Sequence, residues 1–500
     1  MFIEPNTNIR ILRNVPLDNS YKNTIYFTNS TEQFNYFVKF SKHTLQKQSY
    51  QRVNKGKARV AIKAESMYDC NYMMFQNESF GTKWFYAFIT SVEYINNTVS
   101  EITFEIDVLQ TWLLDCTFKE CFVEREHISV DDIGANTVPE KLETGDYVSS
   151  YCGYSDKMGD KKIVIASTVD KDGDDVVGGI YSGVYSGVKL NVFSSAEDAN
   201  DFLSSITEKG KSDSVVSVFM LPDAFAKESG IAITNYDVIK EKSLTDLGGY
   251  VPHNKKLFTY PYNFLYVTNM EGGSAIYPYE LFSTDKCCFK IAGDFTCSPS
   301  VVLFPINYKG VVSNVDEKLT ITGFPQCCFN IDAFKAWMAQ QGPGFVMSAA
   351  GGALSLAAQY AIGSPFAVAS TQSFVANTLS TVYEHAIEPP QAKGGATSST
   401  LFALGMKDFA FLCKHIKPEY ARIIDEYFDM YGYATHRVKI PNRYSRPCWN
   451  YVKTVGCTIV GGAPADDIAK MCKIHDNGVT YWKPTAVFGV YDHNVNDNRA

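Results

Sequence analysis

The stretch Trp84-Phe-Tyr-Ala-Phe-Ile89, then Asn96-Asn97, then Ile102-Thr-Phe-Glu-Ile-Asp107 decides the fold class of this chain. Side chains alternate along both runs in the way that the two faces of a β-strand require. The two asparagines between the runs are typical of a tight turn. The stretch therefore predicts two antiparallel strands that belong to a meander.

The same β character extends outward along the chain. The 31 Tyr and 33 Phe are distributed from end to end and favour strands. A β run at 215–220 and Gly- and Tyr-rich turns at 178–187 predict a second, mostly β region from Leu142 to about Asn330. We therefore expect a mainly β protein with some α-helix.

Three segments predict helices. Ser30-Thr31-Glu32 resembles a capped start, residues 197–206 favour a helix, and Pro418 opens a third that ends near Gly432. One face of the third helix is predicted to carry Tyr420, Ile423, Ile424, Tyr427 and Tyr431.

Length and charge limit the possible functions. Five hundred residues predict two to four domains at roughly 100 to 200 residues each. A net charge of −8 argues against a surface that grips nucleic acid, although a channel through which DNA slides would suit that charge. The first twelve residues lack the apolar run of a secretory signal, so we expect no export by such a signal.

The cysteine pattern predicts reduced thiols. Thirteen cysteines are scattered along the chain, including the adjacent pairs Cys287-Cys288 and Cys327-Cys328, and none has CxxC spacing. This pattern favours a protein folded in a reducing cytosol over a disulfide or zinc framework.

The sequence contains no complete catalytic motif. Gly210-Lys211-Ser212 lacks the earlier glycine of a phosphate-binding loop. Residues 170–174 resemble the opening of a calcium loop, but the sixth position holds Asp175 instead of glycine and Tyr181 replaces the closing acid, so a solvated turn is expected there. HExxH and GxSxG do not occur, and the eight histidines are far apart in sequence. We therefore predict no catalytic residues, no metal, no cofactor and no enzymatic activity.

The segment from Ala336 to Tyr383 contains no Asp, Glu, Lys or Arg. Gly363-Ser364-Pro365 divides it into two arms, Phe345 to Ile362 and Phe366 to Tyr383, of eighteen residues each. As helices the arms would reach ~27 Å, close to the roughly 30 Å hydrocarbon core of a bilayer. The length therefore fits a membrane hairpin, but the polar residues in both arms do not suit a permanent anchor.

Residue spacing within the arms supports close helix packing. Ala353, Ala357 and Ala361 repeat every fourth residue in the first arm, and Val368 and Leu379 lie on the apolar side of the second arm. A loop in a protein groove, or a hairpin inside a core, would explain the same residues. The residues alone leave these alternatives open.

Two further segments carry a family resemblance. They include Asn8-Ile-Arg-Ile-Leu12, Lys83-Trp-Phe-Tyr-Ala-Phe88 and Phe104-Glu-Ile-Asp-Val-Leu-Gln-Thr-Trp112 near the start, and Tyr431-Gly-Tyr433 and Asp476-Asn-Gly478 near the end. About half the chain, mainly residues 8 to 128 and 419 to 484, resembles the distal tail tube, or tail knob, proteins of small short-tailed bacteriophages of the phi-twenty-nine type.

The resemblance implies four regions. The N-terminal part of a β-barrel-like tail-tube domain would span residues 1–141, and its C-terminal part residues 396–500. A β-rich knob domain would span 142–335, and a long hydrophobic loop 336–395. Only Tyr260-Pro-Tyr262 echoes the family within the middle region.

The resemblance also implies a function. The chain would form a homohexamer at the distal end of the tail, join the proximal tail tube protein and conduct viral DNA without sequence-specific binding. The loops would plug the channel, then leave it and form a pore in host membrane lipid during genome ejection. The protein would be made in the host cytoplasm and reside in the virion.

The implied membrane-active positions lie in the charge-free segment, and the implied hinge follows it. The positions are Phe345, Gly352, Ala353, Leu354, Ala357, Ala361, Ile362, Gly363, Pro365, Phe366, Val368, Phe374, Val375, Leu379 and Val382. The hinge comprises Pro389, Pro390, Gly394 and Gly395.

The alternative function is that of a tail-borne receptor-binding or cell-wall-degrading protein.

Overall fold

The computed structural model describes residues 6–48, 56–159, 161–175, 179–181, 184–186, 188–227, 230–231, 236–294, 299–309, 318–322, 324, 326–327 and 408–499. The chain divides into two compact units. The first unit comprises Met1–Glu143, Tyr250–Leu257 and Glu419–Ala500, and the second comprises Thr144–Gly249 and Phe258–Pro418. Each unit is mainly β, which confirms the predicted fold class.

The first unit contains a six-stranded antiparallel sheet. Its strands are β1 (Thr7–Arg13), β3 (Ser41–Gln48), β4 (Lys57–Val60), β5 (Cys70–Gln76), β6 (Trp84–Asn96) and β7 (Val99–Ile106), in the order β3-β1-β5-β6-β7-β4. β6 and β7 form the predicted hairpin, and the Asn96 side chain accepts hydrogen bonds from the backbone N–H groups of Thr98 and Val99. The meander is therefore confirmed.

A second sheet of the first unit joins the two ends of the chain. Its strands are β2 (Asn23–Ile25), β9 (Cys121–Glu126), β26 (Tyr433–Lys439), β27 (Trp449–Val455) and β29 (Val479–Trp482), in the order β2-β29-β27-β9-β26. The cross-strand partners Trp449 and Trp482 are fully buried in it. A small ladder adds β8 (Cys116–Phe118) and β28 (Ile459–Gly461). The barrel-like closure stays a prediction.

Five α-helices lie in the described part of the chain. They are α1 (Ser30–Val38), α2 (Val108–Trp112), α3 (Ala196–Glu208), α4 (Pro418–Tyr431) and α5 (Ala465–Asn477). The three predicted helices are thus confirmed. Short 3₁₀ turns occur at Ala64–Ser66, Glu78–Phe80, Leu113–Asp115, Ser212–Ser214, Lys255–Phe258 and Tyr279–Leu281.

The predicted face of α4 is only partly buried. Ile424 is buried, but Ile423 is 63% exposed, and Tyr420, Tyr427 and Tyr431 are only partly buried. The residues that α4 buries are Ala421, Ile424, Asp425, Phe428 and Asp429. The two carboxylates can be buried because they find hydrogen-bond donors there.

The second unit contains three four-stranded sheets. The strands are β10 (Tyr147–Tyr154), β11 (Lys161–Ser167), β14 (Lys189–Phe193), β15 (Val215–Pro222), β18 (Tyr236–Glu241), β19 (Asn263–Thr268), β20 (Ser274–Pro278), β21 (Lys286–Asp294), β22 (Ser300–Pro305), β23 (Leu319–Ile321), β24 (Gln326–Cys327) and β25 (Ala410–Ile416). Their orders in the three sheets are β10-β25-β19-β20, β14-β11-β15-β24 and β18-β21-β22-β23.

Two short hairpins complete the strands of the second unit. β12 (Gly179–Tyr181) pairs with β13 (Val184–Ser186), and β16 (Ala226–Lys227) pairs with β17 (Gly230–Ile231). The predicted run at 215–220 lies within β15. The acidic segment 170–174 is a turn as predicted, in which the Asp170 carboxylate accepts hydrogen bonds from the N–H groups of Asp172 and Asp174.

The prediction of reduced thiols is wrong at one pair. Cys152 and Cys413 form a disulfide across β10 and β25, with their Cα atoms 6.1 Å apart. The two residues are 261 positions apart, and only the strand pairing brings them together. Eight other cysteines with described side chains are free: Cys70, Cys116, Cys121, Cys287, Cys288, Cys448, Cys457 and Cys472.

Candidate functional site

The residues predicted to be membrane-active lie outside the described part of the chain. This holds for every position from Phe345 to Val382 and for the hinge residues Pro389, Pro390, Gly394 and Gly395. Among the helices that the structure does describe, none is both long enough and apolar enough to cross a bilayer. The predicted roles of these residues therefore stay predictions.

The described chain on each side of this segment is built into the second unit. Before the segment, β24 pairs with β15. After it, the Asp408 carboxylate accepts hydrogen bonds from the Ser155 hydroxyl and from the Phe409 N–H at 2.6 Å, next to β25. Burial raises the pKa of Asp408 to about 6. The charge-free segment is therefore inserted between two paired strands.

The first unit contains a polar site on the buried face of α4. Asp425 and Asp429 are four residues apart, and this spacing places them on one side of the helix. The chain segment from Tyr250 to Leu257, which belongs to the same unit, provides most of their donors. Neither carboxylate lies in a motif that sequence analysis singled out.

Asp425 is saturated with hydrogen bonds. Its Oδ2 accepts from the Tyr250 hydroxyl at 2.8 Å and from the His253 N–H at 2.6 Å. Its Oδ1 accepts from the Asn254 N–H at 3.0 Å and from the Asn254 side-chain amide at 2.8 Å. Burial raises the pKa of Asp425 despite these bonds. The carboxylate thus holds residues 250–254 against α4.

Asp429 lies between two histidines. Its Oδ2 is 3.1 Å from Nδ1 of His253 and 2.8 Å from Nε2 of His493, and the two imidazole centroids are 4.5 Å apart. Its Oδ1 accepts a hydrogen bond from the Asn254 side chain at 2.6 Å. We refer to His253, Asp429 and His493 as the His–Asp–His cluster.

Charge and burial act in opposite directions in the His–Asp–His cluster. Burial opposes ionisation of Asp429, but its contacts with His493, His253 and Asn254 prevail and hold its pKa below the usual value. The same carboxylate raises the pKa of His493. In the absence of other ligands, Asp429 and His493 form an ion pair. One nitrogen of each histidine and one oxygen of Asp429 lie within 4.8 Å of one another, so the three side chains could also hold a metal ion.

Sequence reasoning missed this cluster for a physical reason. His253 precedes Asp429 by 176 residues, and His493 follows it by 64 residues. No short motif links such positions. The available signal was the pair Asp425 and Asp429 on a face of α4 that also carries buried apolar residues, which indicates buried carboxylates with donors nearby.

Comparisons with known proteins identify relatives over 95% of the chain. The C-terminal domain model of Bacillus phage phi29 tail knob protein gp9 matches residues 227–499, and the model of the caudoviral major tail protein N-terminus matches residues 5–117. The tail knob proteins gp9 of Bacillus phages phi29 and B103 are 27% and 25% identical to this chain. Each alignment covers 95% of this chain and 96% of the relative.

A solved structure shares the fold. The tail knob protein gp12 of bacteriophage C1 superimposes with a TM-score of 0.62 over 95% of this chain and 96% of its own, at 16% sequence identity. The relatives are named as tail knob proteins, which are structural proteins and not enzymes, in agreement with the prediction. Since the gp9 model covers more than half of the residues, the chain belongs to the phi29 gp9 family of phage tail knob proteins.

Proposed function

We propose that this tail knob protein forms a hexameric ring at the distal end of the tail, closes the DNA channel with its charge-free segments and uses them to open a pore in the host membrane. The observation that carries the proposal is the segment Ala336 to Tyr383, without one ionic side chain, in a chain of this family. In this proposal the ring joins the proximal tail tube protein and conducts DNA without reading its sequence.

The two described units support such a role. The first unit is assembled from both chain ends, which suits the tube, and the second unit is the candidate knob. The charge-free segment is inserted between β24 and β25, so its displacement need not break either unit. A net charge of −8 is suited to a channel through which DNA slides.

The absence of charged side chains allows the same segment, Ala336 to Tyr383, to lie in the channel before ejection and to enter the membrane afterwards. Each charged side chain at the bilayer centre would cost about 2.5 to 3.5 kcal/mol or more, and this segment has none. Backbone groups in hydrocarbon must be satisfied internally, so both arms should become helical on insertion. Gly363 and Pro365 would then form the turn between the arms.

Dye leakage from liposomes tests the proposal. The full-length protein is compared with a variant in which residues 336–395 are replaced by a short Gly/Ser linker, and light scattering establishes that both form rings of the same size. We expect leakage from the full-length ring alone. Equal leakage from both rings would refute the role of the segment.

A matched pair of substitutions locates the active residues. Ala357→Asp combined with Leu379→Asp places a charge in each arm and should abolish leakage while leaving the rings intact. The control is Ile423→Asp on α4, where the side chain is 63% exposed and a charge remains in water. Leakage that persists in the double variant would exclude these arms as the inserting element.

A further inference from the structure

We propose that His253, Asp429 and His493 bind one divalent transition-metal ion of the zinc type within the first unit. This inference is independent of the membrane pore, because all three residues belong to the first unit and lie outside the charge-free segment.

The distances fit a common ligand sphere. Oδ2 of Asp429 is 3.1 Å from Nδ1 of His253 and 2.8 Å from Nε2 of His493, and all three atoms lie within 4.8 Å of one another. With metal–ligand bonds of about 2.0 to 2.1 Å, ligand atoms around tetrahedral zinc are roughly 3.3 Å apart. To admit the ion, Oδ2 of Asp429 would move a few tenths of an ångström away from both rings, and the two histidine nitrogens, now within 4.8 Å of each other, would settle at roughly 3.3 Å.

His493 provides an independent reason to expect a ligand. Its side chain is only 14% exposed, and neither ring nitrogen makes a well-directed hydrogen bond to a described residue. Nε2 approaches Asp429 at 2.8 Å as an ion pair, and Nδ1 is 3.9 Å from the Asp497 carboxylate. A metal bound at Nε2 would give this buried nitrogen the well-directed partner that the described protein groups do not provide.

The neighbouring groups fix which oxygen faces the histidines. The Asn254 side chain donates to Oδ1 of Asp429 at 2.6 Å and so leaves Oδ2 directed at both rings. Asp425 is 3.8 Å from Nδ1 of His253, but four donors already occupy its oxygens. Asn254 and Asp425 are therefore positioning residues, the role that outer-sphere groups have around metal-bound ligands.

The donor set selects the metal. Two imidazoles and one carboxylate, without a thiolate, suit zinc, cobalt and nickel better than calcium or magnesium, which prefer oxygen. Three protein ligands leave one tetrahedral position open. His253 is 37% exposed, so water can reach this position.

The expected consequence is a link between three segments of the first unit. His253 lies in the segment Tyr250–Leu257, Asp429 lies near the end of α4, and His493 lies in the chain that follows β29. A bound ion would connect these segments at one point and should protect the last fifteen or so residues from unfolding locally.

The experiment uses full-length protein without an affinity tag, treated with a chelator and then dialysed. Calorimetric titration with Zn²⁺ should give one ion per chain, and Co²⁺ should give the strong visible absorption of four-coordinate cobalt. Zn²⁺ should also raise the melting temperature and slow amide exchange after β29. His253→Ala and His493→Ala should each weaken binding by at least roughly tenfold, and the double variant should lose the cobalt absorption.

The matched control is His436→Asn. His436 is exposed and belongs to the same unit, and Asn tolerates its positive φ of 45°. This variant should bind as the wild type does. Circular dichroism of the metal-free variants checks that they fold. The proposal is overturned if folded wild-type protein binds neither ion, because the cluster is then an ion pair only, or if the double variant binds as tightly as the wild type.

Discussion

At the residue scale, burial without a charged partner makes one histidine of the first unit difficult to protonate. His475 on α5 is fully buried; its Nδ1 is 2.7 Å from the Met471 carbonyl and its Nε2 is 2.6 Å from the Tyr481 hydroxyl. Nδ1–H as the donor to the carbonyl assigns the neutral tautomer. Burial, together with the charge of Arg443, lowers the pKa of His475 to about 4.

This lowered pKa predicts acid sensitivity. Between pH 6.5 and about 4 the unfolded chain binds a proton at residue 475 and the folded chain does not, so the stability falls as the pH falls through this window. Between pH 7 and pH 5 the loss should be about 2 kcal/mol, because about 1.4 kcal/mol is lost for each pH unit below 6.5. Urea denaturation at pH 7 and pH 5, read by tryptophan fluorescence, measures it.

The variant His475→Gln should show a shallower decrease of stability between these pH values, because residue 475 then has no titrating group. His436→Asn, which removes an exposed histidine, should keep the wild-type slope. An unchanged slope in His475→Gln would show that other groups cause the acid sensitivity.

At the scale of elements, α4 is held by polar contacts on its buried face. Asp425 accepts four hydrogen bonds from Tyr250, His253 and Asn254, and these bonds keep the inserted segment 250–257 in the first unit. Trp449 adds a hydrogen bond from its indole N–H to the Asp429 carbonyl at 2.7 Å. The helix thus depends on partners that its own sequence does not contain.

Removal of the Asp425 carboxylate should destabilise the protein strongly. Asp425→Ala leaves several buried donors without an acceptor, so we expect a loss of about 3 kcal/mol or more in the free energy of unfolding. The neighbouring Glu426→Ala changes an exposed carboxylate on the same helix and should stay within about 0.5 kcal/mol of the wild type. Similar losses in both variants would contradict this role of Asp425.

The hinge prediction also belongs to this scale. If Gly394 and Gly395 permit the charge-free segment to leave the channel, Pro at both positions should trap it, because proline fixes φ near −65°. Phage particles with this variant should assemble but fail to eject DNA into liposomes or cells. Unchanged ejection would place the hinge elsewhere.

At the scale of the whole molecule, the fold depends on contacts between distant parts of the chain. The five-stranded sheet pairs β2 near the start with β29 near the end. In the second unit, β25 pairs with β10 and β19, and the Cys152–Cys413 disulfide links β25 to β10. The chain therefore cannot complete either unit from one continuous segment.

The disulfide should contribute to the stability of the second unit. Cys152→Ser with Cys413→Ser removes a cross-link between residues 261 positions apart, and we expect a loss of about 2 to 4 kcal/mol. Thermal unfolding with and without reductant measures the effect. Cys288→Ser, at a free cysteine, should unfold like the wild type. A wild-type midpoint that is the same with and without reductant would contradict the contribution.

The sequence by itself determined the local structure and the family. Alternation predicted β6 and β7, a short β run predicted β15, and capping and proline signals predicted α1 and α4, because each depends on neighbouring residues. Collinear motifs at both ends indicated a tail knob relative, which the gp9 model confirms. The absence of ionic residues from Ala336 to Tyr383 was also a property of the sequence alone.

Only the tertiary structure decided the buried polar contacts. Burial of Asp425 and Asp429 is favourable because Tyr250, His253 and Asn254 provide donors from a segment more than 170 residues away. The Cys152–Cys413 bond and the His–Asp–His cluster likewise join residues that no motif connects. Hydrophobic periodicity records which residues avoid water, but the partner of a buried charge is set by where distant segments meet in space.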